Sequence, residues 1–497
     1  YQAEQAYPWQ ADSFFQCASK AQIMTDLIQY RIEHDLLGEA PVPESVYYGI
    51  QTQRAVENFQ ISGVQLNHYA NLPRALAMVK KACALANRDL GMLDAQKAEA
   101  ISDACDEIIE GRLHDQFVVD MIQGGAGTST NMNANEVICN RALELMGHRR
   151  GEYQFLHPNT HVNMAQSTND VYPTAMRLAM VLKHKTLLVA IKSLKNALDV
   201  KAGEFKDILK MGRTQLQDAV PMTLGQEFRA FSTTIGEDVQ RISEMAALLR
   251  EVNLGGTAIG TGITADSRYA PLAVKYLTEI SGQEMILAGD LVEATSDMGA
   301  FVIFSSALKR LAVKLSKISN DLRLLSSGPL CGFNEINLPE MQPGSSIMPG
   351  KVNPVIPEAM NQIAFHVIGN DLTVTLASEA AQLQLNYAEP VLVYNILESI
   401  QQLASGMNML TEKCIKGITA NREVCQSYVD NSVGLVTALN PYLGYENSSR
   451  IAKIALKSGR RVVDLVLEEG LLTKEQLSEI LKPENMIAPL NLSPAAH

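Results

Sequence analysis

Apolar residues recur at three- and four-residue spacing over stretches far longer than a usual helix, and this restricts the fold more than any other feature of the chain. The stretches run roughly over 72–110, 131–147, 172–209, 221–252, 289–326, 354–382 and 390–421. Globular helices average about three turns, so the pattern predicts an all-α, mainly helical protein built on a long central helical bundle. Within 354–382, Ile356, Met360, Ile363, Val367, Leu372 and Ala377 share one face, while Ala359, Ala364, Ile368 and Val374 put apolar groups on others. A helix apolar on most sides is buried on most sides, and the leftover apolar faces predict that subunits share the bundle. After Asn440-Pro441 the pattern shortens. Gly459 and Gly470 read as helix stops and Thr473–Gln476 as a capping box, which predicts a small helical C-terminal domain.

Charge narrows the partners. Lys plus Arg number 42 against 54 Asp plus Glu, a net charge of -12 with no basic block, so nucleic acid is not an expected partner. An anionic substrate would need positive potential concentrated locally, from a lysine and from helix N-termini, against this global field. No uninterrupted apolar run reaches about 18 residues, so no membrane span is expected. The 7 cysteines are scattered without a C-x-x-C pair and read as reduced, mostly buried thiols of a cytoplasmic protein. The N-terminus has no cationic region followed by an apolar core, so it does not read as a secretory signal.

Polar segments interrupt the helices. Gln342–Glu358, QPGSSIMPGKVNPVIPE, sets serines, a lysine and an asparagine among prolines and glycines that forbid a continuous helix. Pro349-Gly350 and Asn353-Pro354 specify a backbone shape around Lys351 that a merely solvated lysine does not need. No histidine or carboxylate lies between Gly344 and Asn353, so proton transfer here would lack its usual base. In Gln123–Glu136, QGGAGTSTNMNANE, Thr128, Ser129 and Thr130 stand at a helix start, which suits either an ordinary N-cap or a bound carboxylate. His157–Pro173, HPNTHVNMAQSTNDVYP, ends in Ser167-Thr168-Asn169, for which a cap and an anion cradle are equally open. Its His157 and His161 have metal-pair spacing, but Pro158 argues against a helix across them and favours rings satisfied by backbone hydrogen bonds. Gly212–Pro221, GRTQLQDAVP, places the neutral Thr214 and Gln215 between a lysine-containing helix end and the next helix. Leu254–Ala265, LGGTAIGTGITA, reads as close backbone packing.

The segment GSSIMPGKVNP resembles the signature of the fumarase/aspartase superfamily. GAGTSTNMNANEVI, QSTNDVYPTAMR and GRTQLQDAVP are similar to its other active-site segments, in the same order, and the resemblance spans about residues 33–490. It implies three largely helical domains, 33–166, 167–425 and 426–497, behind an N-terminal appendage 1–32. It further implies a homotetramer whose active sites each draw on three subunits. Ser345 is then the base, acting as an alkoxide on the carbon next to the one bearing the leaving group. The carboxylate that becomes an aci-carboxylate dianion is held by Thr128, Ser167, Thr168 and Ser346, and the other by Thr214, Lys351 and Asn353, with Asn169 near the leaving group. Fumarases carry GRTH where this chain has GRTQ. Gln215 can accept a hydrogen bond from a substrate ammonium but cannot titrate as a base for water. The resemblance therefore implies an ammonia-lyase converting L-aspartate to fumarate, with fumarase and a catalytically inactive member as the alternatives. It implies no required cofactor and no metal ligand, with Mg²⁺ only as an activator.

Overall fold

A computed structural model describes residues 29–489. The N-terminal appendage 1–32 therefore lies outside the described residues except for its last few, which enter the first strand. The chain opens with a hairpin of β1 (Tyr30–Asp35) and β2 (Gly38–Pro43), followed by α1 (Ile50–Asn58), α2 (Asn71–Asp89), α3 (Ala95–Ile109), α4 (Thr128–Leu145) and α5 (Thr168–Glu204). A second hairpin, β3 (Leu209–Thr214) and β4 (Gln217–Thr223), leads to α6 (Leu224–Leu248), α7 (Tyr269–Ser281), α8 (Leu291–Ser296), α9 (Gly299–Leu325), α10 (Val355–Glu379) and α11 (Glu389–Lys413). The remaining helices are α12 (Arg422–Asn431), α13 (Val436–Ser458), α14 (Val462–Glu468), α15 (Lys474–Ile480) and α16 (Pro483–Met486).

The long periodic stretches are helices, with three instructive departures. The stretch 72–110 is two helices, because Gly91 turns left-handed (φ 73°) and Asp94 caps α3 by accepting from the Gln96 and Lys97 amides. Residues 209–223, expected as helix ends around a linker, form the β3–β4 hairpin. The stretch 289–326 is likewise two helices, α8 and α9, parted at Asp297-Met298. The change of pattern after Asn440-Pro441 falls inside α13, which breaks at Gly444 (φ 74°). The capping box is present, with Thr473 Oγ1 accepting from Gln476 N and Gln476 Oε1 from Thr473 N.

The chain divides into two compact units, and each crossing between them falls inside α5, α6, α9, α10 or α11. Unit 1 takes residues up to 183 with 246–302 and 373–397. Its centre is α2, whose Leu72, Leu76, Val79, Cys83 and Ala86 are fully buried at helical spacing, as are Ala98, Ile101, Cys105 and Ile108 of α3. α4 is buried nearly all round, yet its interior residues include Asn131, Asn133, Asn135, Glu136 and Asn140. Glu136 serves a neighbouring helix start, accepting from the amides of Gly49 (2.9 Å), Gln51 (2.9 Å) and Thr52 (3.1 Å) and from Thr52 Oγ1 (2.6 Å). A Cβ at Gly49 would lie 2.6 Å from Glu33 Oε2 and 2.9 Å from the Glu136 carboxyl carbon, so only glycine lets the chain pass there.

Unit 2 holds 184–245, 303–372 and the chain from 398 onward. Its long helices are joined by buried polar contacts between facing surfaces. Asp238 on α6 meets Arg310 (2.5 Å) and Lys314 (2.9 Å) of α9, and Asp371 on α10 accepts from Ser305 and Lys309 of α9. Gly406 of α11 admits Met360 and Ile363 of α10, where a Cβ would lie 2.7 Å from the Ile363 Cδ1. The C-terminal helices form their own cluster from Leu439, Ile451, Leu465, Val466, Leu477 and Ile480. Among the described residues no helix is long and apolar enough to cross a membrane.

Candidate active site

In unit 1 the first turns of α4 and α5 lie together. Gly127 precedes α4 at φ 89°, and a Cβ there would stand 2.5 Å from the Tyr172 ring of α5. Thr128 is exposed at the start of α4, its hydroxyl donating to Gly125 O (2.7 Å). Ser167 and Asp170 form a reciprocal cap. Ser167 Oγ accepts from Asn169 N (3.2 Å), while Asp170 Oδ1 accepts from Ser167 N (2.9 Å). Thr168 Oγ1 accepts from Asn131 Nδ2 (3.0 Å), and Asn169 Nδ2 donates to Ala258 O (2.7 Å). Ser167 is thus a cap, and the two helix starts also place their positive ends side by side, where an anion is favoured.

This corner rests on a buried polar network that the sequence pattern did not reveal. Lys80 of α2 is fully buried, and its Nζ donates to Asn131 Oδ1 (2.7 Å), Asn163 Oδ1 (2.9 Å) and Gln166 Oε1 (2.8 Å). Asp170 Oδ2 accepts from the amides of Gly255 (2.9 Å) and Thr257 (3.1 Å), so the glycine-rich segment 254–265 is a close-packed cradle for this carboxylate. Burial lowers the Lys80 pKa to about 7, with Cys83 and Asp170 acting against it. Burial also raises Asp170 to about 6 against its backbone donors. The available signal was the run Asn131, Asn133, Asn135, since asparagine at alternate positions inside a helix implies partners other than water. Nearby, His161 Nδ1 accepts from His157 N (2.8 Å) and His157 Nδ1 from Asn159 N (3.1 Å), so both rings take backbone donors. Among the described residues no three His, Cys, Asp or Glu side chains are grouped to hold a metal ion.

In unit 2 the loop 341–354 is folded back on itself. Gly344 N donates to Lys351 O (2.7 Å) and Asn353 Nδ2 to Gly344 O (2.8 Å), which brings Ser345, Ser346, Lys351 and Asn353 into one turn of chain. Ser345 Oγ accepts from the amides of Ile347 (3.2 Å) and Met348 (3.0 Å). Lys351 and Asn353 line a recess of about 760 Å³ that also includes Arg323 and Asn334. Ser345 is half-buried, while Ile347 beside it is 84% exposed.

Thr214 and Gln215 stand on a separate element, the tip of the β3–β4 hairpin. Gln215 (φ 53°) and Leu216 (φ 62°) are both left-handed, the geometry of a type I′ turn that usually selects asparagine and glycine. The strain is offset by the adjacent anchor. Arg213 binds the fully buried Glu335 at 2.6 Å and lies over the Phe333 ring at 4.1 Å, and Lys210 reaches the other Glu335 oxygen at 2.7 Å.

A family model described as lyase matches residues 38–369, and one described as fumarase C C-terminus matches 435–488. The aspartate ammonia-lyase of Pseudomonas fluorescens is 65% identical over 468 residues, 94% of this chain and 98% of that protein. Its counterpart in Escherichia coli K12 is 57% identical over 460 residues, 92% and 96% of the two chains. Among solved structures, the fumarate lyase:delta crystallin of Brucella melitensis bound to cobalt matches with TM-score 0.91 and 58% identity over 93% of this chain and 100% of that one. The class II fumarase of Schistosoma mansoni matches with TM-score 0.88 and 35% identity over 92% and 99%.

Proposed function

Because the chain belongs to this lyase family, within the fumarase/aspartase superfamily, and is a carbon–nitrogen lyase, we propose that it catalyses the reversible anti elimination of ammonia from L-aspartate to give fumarate. The observation that carries the mechanism is the convergence of the Ile347 and Met348 amides on Ser345 Oγ, in a loop segment without carboxylate or imidazole. Two fixed N–H donors favour the alkoxide over the alcohol, and the Lys351 charge on the same loop acts in the same sense. As alkoxide, Ser345 removes the proton from the carbon next to the one bearing nitrogen. The C–H electron pair moves into the adjoining carboxylate, giving the aci-carboxylate dianion. Its return forms the double bond as the C–N pair leaves with nitrogen, and an ammonium already protonated departs as neutral ammonia without a further acid.

In this reading Thr128, Ser167, Thr168 and Ser346 hold the carboxylate that gains charge, and the paired helix starts supply the local positive potential that a net charge of -12 otherwise opposes. Thr214, Lys351 and Asn353 hold the other carboxylate, Asn169 stands near the leaving group, and the Gln215 side-chain oxygen accepts from the substrate ammonium. The site is completed in a cytoplasmic homotetramer, each centre drawing on three subunits. Support for assembly comes from Val189 and Val200 of α5 and Phe365 and Leu372 of α10, apolar side chains each more than 60% exposed in a single chain. No step passes through a metal, and Mg²⁺ enters only as an activator. The test is ultraviolet absorbance of the product double bond after adding protein to L-aspartate and, separately, to L-malate. Growth with aspartate alone is expected; growth with malate alone would make the chain a hydratase.

A further inference from the structure

We propose that Lys80 is a positioning residue for this reaction, fixing through Asn131 the direction in which the Thr168 hydroxyl donates its proton. The inference rests on the reading above that Thr168 holds a substrate carboxylate. In its protonated form Lys80 has donors only, so every amide facing it then presents oxygen. Asn131, Asn163 and Gln166 each do so, at 2.7 to 2.9 Å, which fixes the orientation of the three side chains by chemistry. Their nitrogens are thereby turned away. Asn163 Nδ2 reaches Gln166 O, Gln166 Nε2 reaches Val162 O and Met164 O, and Asn131 Nδ2 reaches Asn163 Oδ1 and Thr168 Oγ1. Thr168 is the one hydroxyl in this set. Because its oxygen accepts from Asn131, its own proton must point elsewhere. With the network behind it, the remaining direction is outward from the start of α5, where a carboxylate would sit. A hydroxyl free to turn would spend part of its time donating inward; here the Asn131 atom facing it is the Nδ2 donor, its oxygen being turned to Lys80.

The decisive variant is Asn131→Asp. It is nearly isosteric and leaves Lys80 an oxygen partner, but its second oxygen accepts where the amide donated, so the Thr168 proton turns inward. The measurement is the dissociation constant of succinate, an unreactive dicarboxylate, alongside KM, kcat and the unfolding temperature. Asn131→Asp is expected to weaken succinate about 10- to 100-fold, the worth of a hydrogen bond to a charged group. KM should rise more than kcat falls, and the unfolding temperature should fall as well, because Asn131 Nδ2 also donates to Asn163 Oδ1, so the Thr168→Val cycle and not the melt isolates the hydroxyl. In a Thr168→Val background the same change should weaken succinate by a markedly smaller factor, that of the added carboxylate charge alone. Parent-like succinate binding by Asn131→Asp, or a loss of equal size with and without Thr168→Val, overturns the proposal. Should Asn131→Asp not fold, Lys80→Met provides the same cycle, since its loss must also be markedly smaller in the Thr168→Val background. If Thr168→Val alone binds succinate as the parent does, the assignment of Thr168 to the carboxylate fails, and the proposal fails with it; that outcome is distinct from a weakened Thr168→Val with an unaffected Asn131→Asp.

Discussion

The α4–α5 corner and the loop 341–354 carry comparable sets of hydroxyls and amides, yet they are supported in opposite ways. Behind Thr168 stand a buried lysine, three oriented amides and a carboxylate that accepts three backbone amides. Ser345 is held by two amides of its own loop, which Gly344 closes by bonds to Lys351 O and Asn353 Nδ2, with Ile347 and Lys351 in solvent. The difference teaches which half of the chemistry is prepaid. Recognition of an anion gains from donors that cannot relax, whereas a base that must admit substrate and then lose water gains from a segment that opens at little cost.

The sharpest way to break this contrast is Ser345→Ala. Removal of the proposed general base is expected to lower kcat by about 10² to 10⁴-fold with little change in unfolding temperature, because the hydrogen bonds described for this side chain are to Ile347 and Met348 of its own loop; steady-state kinetics and a thermal melt check both halves. Asp170→Ala should do the reverse. It strips the acceptor from three amides, those of Ser167, Gly255 and Thr257, and is expected to cost roughly 3 kcal/mol in a urea titration. Its activity, measured where the protein remains folded, should fall mainly through KM. The smallest effect is a pH slope. Burial lowers Lys80 to about 7 from its ordinary 10.5, so between those values the unfolded chain binds the extra proton and this group makes stability rise with pH. Lys80→Met should remove that contribution, at most about 1.4 kcal/mol per pH unit; an unchanged slope would mean that the lysine titrates normally within the corner.

The same contrast explains what could be read in advance. The long helices were legible because burying one stripe demands a 3.6-residue period whatever the partner, and the loop was legible because proline and glycine restrict the backbone locally. The β3–β4 hairpin was not, since Ile208, Leu209 and Met211 fit either period and Gln215-Leu216 lacks the usual turn residues; its geometry is held by Glu335, more than a hundred residues away in sequence. The shortening after Asn440-Pro441 was legible because Gly459 and Gly470 stop helices locally, while the break at Gly444 inside α13 was not. Lys80 lies in a helix with an apolar period, where nothing marks it off from a solvated cation. What buries it is supplied by α4 and by residues 163–166, and no pattern within α2 records that.

The passage of the chain back and forth between the two units inside helices has a consequence for synthesis. Unit 1 needs residues 373–397 to be complete, in a chain of 497. Its helix-start corner is built from residues 80–170 and 255–257, which leave the ribosome long before that closing segment does. The helices packed on α2 and α4 are therefore made first, and the unit they belong to stays open until its closing segment emerges. Such a nascent chain depends on holding its early helices soluble until late ones arrive, and a stop codon placed before residue 373 should yield neither unit in folded form.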